Sequence, residues 1–158
     1  MYGAGVLQNQ VTPISPDYGS IWQESIIRTP NGIYGVDTYA KKIWRFNEKD
    51  GFVLISDIKV QRFLNDSIEL SELDKYPIIA ARNVKTHYNN YKGDVMFTFY
   101  NKNRIWNLCF NERMGTWVTK YSWTPLYSEN IDNIFYSLDQ NRASLLGILW
   151  NNQNTNKG

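Results

Sequence analysis

Carboxylates are the side chains of this sequence best suited to acid–base chemistry, and six of them fall near predicted turns or element ends. They are Asp37, Glu48, Asp57, Asp94, Glu112 and Asp139. Two carboxylates facing one sugar bond are the machinery of a glycoside hydrolase. However, Asp37 and Asp139 occupy matching places in an internal repeat, directly before turns that an Asp side chain caps. Placement by a repeat favours a structural role, and the hydrolase is kept as an alternative.

The chain has a single histidine, His87, and a single cysteine, Cys109. A zinc site of the usual types needs more such ligands, and no G-x-S-x-G motif accompanies His87. A glycine-rich phosphate loop is also missing from the sequence. We therefore expect no metal and no cofactor. His87 is predicted to lie in a loop or at the surface, and Cys109 to be a buried, unreactive thiol on a strand.

Four aromatic residues make the other candidate site. Trp117, Tyr121 and Trp123 alternate along one predicted strand, with Trp106 on the strand before it. Such a row of rings can stack on sugars, as in carbohydrate-binding modules. Packing between sheets or at an interface uses large aromatics equally well and is the favoured interpretation. Exposure of these rings would distinguish the two.

The bulk composition describes a globular chain and excludes several function classes. Hydrophobic residues make up 42% of the 158 residues and aromatics 15%, with a formal net charge of +2. So balanced a charge gives no reason to expect a nucleic-acid or membrane surface. We see no secretory signal in the amino-terminal residues, and the longest apolar run near the end of the sequence, residues 145–150, is too short to span a bilayer.

The elements that hold these side chains read as short strands joined by tight polar turns. Strands are predicted at 33–37, 43–46 and 52–55, and again at 95–100, 105–110 and 117–123. A further strand is predicted at 134–139, with a possible one at 78–81. One short helix is predicted near 57–65, with Ser56-Asp57 as its N-cap. Pro77 prevents any helix from continuing beyond Tyr76.

A repeated string organises the chain. Phe46-Asn47-Glu48-Lys49-Asp50-Gly51 and Phe110-Asn111-Glu112-Arg113-Met114-Gly115 each follow an Ile-Trp pair. Each joins two predicted strands, and the glycine supplies the backbone that a tight turn needs. We therefore interpret Glu48 and Glu112 as turn residues. The fold class predicted is mainly β: antiparallel meander repeats resembling two to three β-propeller blades, with one short helical insertion.

Five segments follow from this interpretation. They are an extended arm at 1–20, a first β unit at 21–56, a helical or irregular insertion at 57–93, a second and partial third β unit at 94–150, and a disordered tail at 151–158. The blade count is too small to close a propeller.

The motifs Tyr34-Gly35-Val36-Asp37, Ile43-Trp44-Arg45 and Ile55-Ser56-Asp57, with the runs 25–64 and 81–139 around them, resemble tail structural proteins of crAss-like bacteriophages. These are labelled stabilisation, tail-hub or muzzle proteins, and they are longer chains with β-propeller-like regions. The resemblance covers about 12–140 and makes this chain similar to an internal slice of such a protein.

The resemblance implies a non-catalytic virion structural protein that assembles or stabilises the tail. It further implies a homo-oligomeric ring, contacts with other tail or portal-proximal proteins, and synthesis in the bacterial host cytoplasm. It assigns no catalytic residues. Two alternatives remain open: a carbohydrate-binding module using Trp106, Trp117, Tyr121 and Trp123, and a glycoside hydrolase fragment using Asp37, Asp94 and Asp139.

Overall fold

The computed structural model describes residues 13–68, 84–100, 104–118, 121–139 and 149–151, and these form three antiparallel sheets. The first sheet contains β1 (Ile27–Thr29), β2 (Gly32–Asp37), β3 (Lys42–Asn47) and β4 (Gly51–Leu54) in sequential order. Each strand pairs with the next one along the chain.

The second sheet repeats the same four-stranded meander. It contains β5 (Val84–Asn89), β6 (Asp94–Tyr100), β7 (Ile105–Asn111) and β8 (Thr116–Val118). The third sheet contains β9 (Pro125–Ile131), β10 (Ile134–Asp139) and β11 (Leu149–Asn151), again in sequential order. The prediction of a mainly β chain of antiparallel meanders is therefore confirmed.

The predicted helix exists but starts later than expected. Helix α1 spans Gln61–Ser67, and Val60 is its N-cap without a side-chain capping bond. The prediction that Ser56-Asp57 caps this helix is wrong, because Ile55–Asp57 forms a separate 3₁₀ turn. The Ser56 hydroxyl instead accepts a hydrogen bond from the backbone N–H of Ile43 at 3.1 Å, which ties the turn to β3.

Two strand predictions need correction or fall outside the described residues. The strand expected at 117–123 is wrong in its second half, since β8 ends at Val118 and residues 121–124 are irregular. The reason is Asn107, whose side-chain carbonyl and amide bind the backbone of Tyr121 and Trp123 in place of a strand partner. The strand suggested at 78–81 and the turn after Asp139 lie outside the described residues.

The first strand of every sheet was not foreseen. β1 and β9 lie in stretches given no strand, and β5 lies in the segment assigned to an irregular insertion. These three strands run side by side through the molecule: β1 contacts β5, and β5 contacts β9. They therefore join the three meanders along one edge.

The sheets stack face to face because successive side chains of a strand point to opposite faces. Val95, Phe97 and Phe99 of β6 face the first sheet and pack on Tyr34 and Val36. Met96 of the same strand faces the third sheet and packs on Phe135. We call the contact between the first and second sheets the first interface, and the contact between the second and third sheets the second interface. The second sheet is thus buried on both faces.

The repeated string makes the same turn in both sheets. Asn47 Oδ1 accepts the backbone N–H of Asp50, and Asn111 Oδ1 accepts that of Met114. Gly51 and Gly115 both have positive φ angles, 70° and 64°. The predicted turn role of the string is therefore confirmed. Its asparagine also reaches the preceding hairpin, since Asn47 Nδ2 donates to Asn31 O and Asn111 Nδ2 to Lys92 O.

Among the described residues, no helix is both long and apolar enough to cross a membrane.

Candidate functional site

The four candidate aromatics do not form one platform. Trp106 is only 5% exposed and lies in the first interface, where its ring stacks on Phe99 with centroids 3.9 Å apart. Phe63 of α1 contacts the same indole edge-on, with ring centroids 5.2 Å apart. Trp117 is half-buried in the same interface, and its Nε1–H donates to Ile55 O at 3.0 Å. Both rings are thus engaged between the first and second sheets.

Tyr121 and Trp123 lie on the other side of the second sheet, in the second interface. Their rings contact each other at 5.4 Å, and Trp123 contacts Phe135 of β10 at 6.0 Å. The Tyr121 hydroxyl donates to Asp94 Oδ2 at 2.6 Å. Burial and this carboxylate raise the pKa of Tyr121 well above its usual range. The four aromatics therefore divide into two pairs on opposite faces of one sheet.

Glu112 is the most heavily used carboxylate of the first interface. It is 8% exposed, and its Oε2 accepts hydrogen bonds from Thr29 Oγ1 at 2.7 Å and Tyr34 Oη at 3.2 Å. Burial, and then the hydrogen bond to Glu112, raises the pKa of Tyr88 to about 12. Its repeat counterpart Glu48 is exposed. The interpretation of Glu112 as a turn residue only is wrong: the turn presents its carboxylate to the first sheet.

Asp94 plays a comparable part in the second interface. It is 4% exposed, and its two oxygens accept from Asn111 Nδ2 at 2.7 Å and from the Tyr121 hydroxyl. Cys109 lies on the same face and is fully buried. Burial, and then Asp94, raises the pKa of the Cys109 thiol far above its ordinary value. The predicted buried thiol is confirmed, and its raised pKa keeps it protonated and inert.

His87 is buried in the second interface rather than placed in a loop or at the surface, so that prediction is wrong. It is 6% exposed in the middle of β5, and its Nδ1 forms a 2.7 Å hydrogen bond with the Ser128 hydroxyl of β9. Burial, and then the nearby Lys85 ammonium, lowers the pKa of His87 to about 4. The imidazole is therefore neutral at pH 7 and joins the second and third sheets.

The second interface also holds buried polar atoms with no hydrogen-bond partner in the described structure. His87 Nε2, Thr98 Oγ1 and Ser137 Oγ are such atoms, and Thr124 Oγ1 just before β9 is another. Thr98 pairs with Lys85 and Asn107 on the face toward the third sheet. Ser137 pairs with Ser128, the partner of His87. These buried polar atoms therefore extend across the second interface, from β5 and β6 to β9 and β10.

Two of the remaining candidate carboxylates, Asp37 and Asp57, serve local structure. Asp37 Oδ1 accepts the backbone N–H of Ala40, which confirms its turn-capping role, and its Oδ2 accepts that of Gly19. Asp57 forms an ion pair with Lys42. Glu48 is exposed in the turn after β3. Asp37 belongs to the first sheet and Asp94 to the second, each with its own partners. In the described part of the chain, no three His, Cys, Asp or Glu side chains are grouped to hold a metal ion.

The sequence did not predict the hydrogen bonds between Glu112 and the first sheet, the His87–Ser128 contact, or the strands β1, β5 and β9 that contribute to them. A signal for β1 was present in Asn31-Gly32, a dipeptide typical of hairpins. No comparable signal existed for Glu112, because its string is nearly the same as the one around Glu48. What separates the two is the neighbouring sheet, which the local sequence does not encode.

Comparison with known proteins gives one family. The family described as Crassvirus muzzle protein matches residues 4–141, nearly the whole chain and all of the first two sheets. No curated protein matches the chain.

Proposed function

The chain belongs to the crassvirus muzzle protein family, and from that membership we propose that it is a tail-associated structural component of the virion. A structural protein of a crAss-like phage virion is what the family supports. The finer proposal is that the chain helps to assemble or stabilise the tail, within an oligomeric ring, through contacts with other tail or portal-proximal proteins. The family match over residues 4–141 is the observation that carries it.

We propose that the three sheets are successive blades of a β-propeller. Three features support this: each sheet is a sequential meander, the sheets stack face to face, and their first strands contact one another. In a propeller the first strands surround the axis and the faces pack between blades. Such blades can contact other proteins through their turns and strand edges, and this structural role needs no ligand-binding cleft.

We propose further that the chain catalyses no reaction. The candidate carboxylates support this, because Asp94 and Glu112 each accept two hydrogen bonds from hydroxyl or amide donors of their own interfaces. A carboxylate with such donors cannot approach a substrate without breaking these hydrogen bonds. The four aromatics are proposed to pack the interfaces rather than to stack on glycans, in keeping with their division between opposite faces of one sheet.

Cross-linking mass spectrometry of purified virions tests the tail assignment. Lys49 and Lys59 are exposed, so they offer two reactive amines on the surface of the first sheet and of the segment after it. We expect cross-links from these lysines to tail or portal proteins. Virions that contain the protein but link it only to capsid shell proteins would contradict the proposal.

A polysaccharide panel tests the absence of catalysis. The expected result is no turnover by the full protein. If turnover is seen and Asp37→Asn or Asp94→Asn abolishes it, while Glu48→Gln does not, the hydrolase alternative replaces the structural one. If a glycan binds and Trp123→Ala removes that binding, the carbohydrate-binding alternative replaces it.

A further inference from the structure

The outer face of the first sheet, which points away from the second sheet, is covered by the segment that precedes the sheet in the chain. We call residues 13–22 the strap; they end directly before the 3₁₀ turn Gln23–Ser25. We propose that the strap is a removable cover: residues 13–21 lift from the outer face together, while Trp22 stays in place as the hinge. This inference concerns a movement within the chain and goes beyond the structural role proposed above.

The outer face that the strap covers is apolar. Ile33 pairs with Phe46, and Phe46 with Phe52, on the face opposite to Tyr34. Trp44 lies on the same face, because it precedes Phe46 by two positions in β3. A surface with so many large apolar side chains is expected to be covered rather than exposed to water.

The strap contacts this face through one ring and one backbone position. The Tyr18 ring stacks on Phe52 with centroids 5.9 Å apart, and Phe52 stacks on Trp44 at 5.5 Å. Trp44 Nε1–H donates to Gly19 O at 3.0 Å, and the backbone N–H of Gly19 donates to Asp37 Oδ2 at 3.1 Å. Trp44 is therefore only 6% exposed, although it lies on an outer face.

Two local features fit the strap to the sheet. The Ser15 hydroxyl accepts the backbone N–H groups of Asp17 and Tyr18, each at 3.2 Å, and this turn directs Tyr18 toward the sheet. Gly35 of β2 has no side chain, and a Cβ atom there would overlap the Trp44 ring. The indole therefore lies directly over the β2 backbone, where the strap reaches its N–H group.

The repeated string shows what the strap replaces. Phe46 and Phe110 begin its two copies. Phe110 contacts Tyr34 at 6.2 Å, so this face of the second sheet receives the sheet that precedes it in the chain. The equivalent face of the first sheet, which holds Phe46, receives the strap that precedes it in the same way. The strap therefore occupies the position of a preceding sheet.

The strap is held less firmly than a packed sheet. None of residues 13–21 is buried, and Ile14 and Ile21 are 45% and 55% exposed. Segments with few buried apolar contacts open locally at a low free energy, while the rest of the fold stays intact. Opening exchanges the Tyr18 stack and the hydrogen bonds of Gly19 for contacts with water.

Trp22 marks the end of the part that opens. It is 6% exposed, and its Nε1–H donates to Thr38 Oγ1 at 3.1 Å. Ser25, in the following 3₁₀ turn, is fully buried, and its carbonyl accepts a hydrogen bond from Thr86 Oγ1 of the second sheet at 2.7 Å. The chain from Trp22 onward is thus fixed to the first and second sheets, and opening stops there.

The movement decides whether the outer face is available for packing. With the strap in place, Trp44 and Phe52 are covered, and the face offers little apolar surface to another sheet. With the strap lifted, both rings are uncovered on a face equivalent to one that packs against a sheet within this molecule. The strap is therefore an autoinhibitory contact at this end of the stack.

Hydrogen exchange of indole protons, followed by NMR on the full chain, tests the proposal. Trp22 and Trp44 are a matched pair, because both are 6% exposed and both donate an indole hydrogen bond. The Trp44 proton is expected to exchange at least about tenfold faster than that of Trp22, since local opening frees only the former. Trp22→Phe and Trp44→Phe assign the two signals.

Two substitutions at Tyr18 test the part played by its ring. Tyr18→Ala removes the stack on Phe52 and is expected to speed exchange of the Trp44 indole proton about tenfold, while that of Trp22 changes by less than about threefold. Tyr18→Phe keeps the ring and is expected to match the wild type. Tyr18→Ala is also expected to increase the fluorescence of the apolar dye ANS. Tyr91→Ala, at a 55% exposed turn position, is expected not to.

Equal exchange rates of the Trp22 and Trp44 indole protons in the wild type overturn the proposal, because the strap would then be as fixed as its hinge. A Tyr18→Ala chain with unchanged Trp44 exchange also overturns it. Thermal unfolding checks that each variant folds, and the wild-type comparison needs no substitution. Movement of the strap is independent of location in the virion, so this result and the cross-linking result can fail separately.

Discussion

The two interfaces of the second sheet have opposite chemistry. The first interface is an apolar layer in which Phe97 and Phe110 each contact both Tyr34 and Trp117. Its main buried charge is Glu112, which has hydroxyl partners. The second interface instead places Asp94 and His87 beside a small apolar group.

This difference shows that one sheet can be buried on both sides by different means. An apolar contact gives stability in proportion to its area and tolerates small changes of angle. A polar contact adds little net energy but fixes geometry, because each unmade hydrogen bond is costly. We infer that the first interface supplies most of the stability and the second sets how the third sheet is oriented. Four substitution experiments test this contrast.

The largest expected effect comes from a matched pair of phenylalanines. Phe97 in the first interface and Phe135 in the second are both 0% exposed. Phe97→Ala is expected to lower the free energy of unfolding by about 3–5 kcal/mol, and Phe135→Ala by a value near the lower end of that range. The half-buried Trp123 beside Phe135 can move into the space, whereas Tyr34, which contacts Phe97, is fully buried and held by its hydrogen bond to Glu112. Urea unfolding measures the free energy of unfolding of both variants. Equal losses would contradict the inference that the first interface supplies most of the stability.

Glu112 and Glu48 form the next pair, since the repeat places them at equivalent turn positions. Glu112→Ala removes the acceptor of the Tyr34 hydroxyl and leaves the Thr29 hydroxyl with Gly32 O alone, so we expect a loss of about 1–3 kcal/mol. Glu48→Ala changes an exposed side chain and is expected to stay within about 0.5 kcal/mol of wild type. Similar losses of unfolding free energy in the two variants would show that Glu112 stabilises the turn rather than the contact with the first sheet.

His87 makes the second interface sensitive to acid. Its pKa falls from 6.5 to about 4 on folding, so the unfolded chain binds more protons between those values. Stability present above pH 6.5 is therefore lost as the pH falls, by about 2 kcal/mol at pH 5.

Lys85 and the Ser128 hydroxyl face the ring, and His87→Gln should flatten this part of the stability–pH curve. Unfolding measured from pH 7 to 4.5 gives the result. An unchanged slope in the variant would mean that other groups cause the loss.

The smallest expected effects are stability changes of different sign on substituting two threonines, one in each interface. Thr98 in the second interface has a buried hydroxyl without a partner in the described structure, whereas Thr86 in the first donates to Ser25 O at 2.7 Å. Thr98→Val is expected to be neutral or to stabilise by up to about 1 kcal/mol, and Thr86→Val to destabilise by about 1 kcal/mol. Thermal unfolding separates them. Destabilisation by Thr98→Val would indicate a bound water at that hydroxyl.

Much of the fold could be predicted because its signals are local. Alternation along 95–100, the glycine turns and the repeated string each depend on a few neighbouring residues, and the strands they indicate are present. The first strands escaped prediction because β1 is short and β5 is mostly polar, with Val84 and Tyr88 its only hydrophobic residues. Their pairing partners, rather than their composition, make them strands.

The chemistry of the interfaces was less predictable for a physical reason. The burial of Glu112 and His87 depends on a second sheet arriving from a distant part of the chain, as the contact of Glu112 with Thr29 shows. The same residue types in an exposed turn or loop would read identically in the sequence. The aromatic row likewise reads as one strand, although Asn107 draws Tyr121 and Trp123 away from it.

The sequential pairing of strands has a consequence for synthesis on the ribosome. All strands of the first sheet lie between residues 27 and 54, so the sheet has all its hydrogen-bonding partners long before β5 is translated. During that interval Tyr34 and Val36 have no second sheet to cover them, and a nascent chain exposes a sticky apolar surface. The Glu112–Thr29 contact joins residues 83 apart and closes only afterwards. Translation slowed between the first and second sheets should therefore raise aggregation more than the same slowing elsewhere.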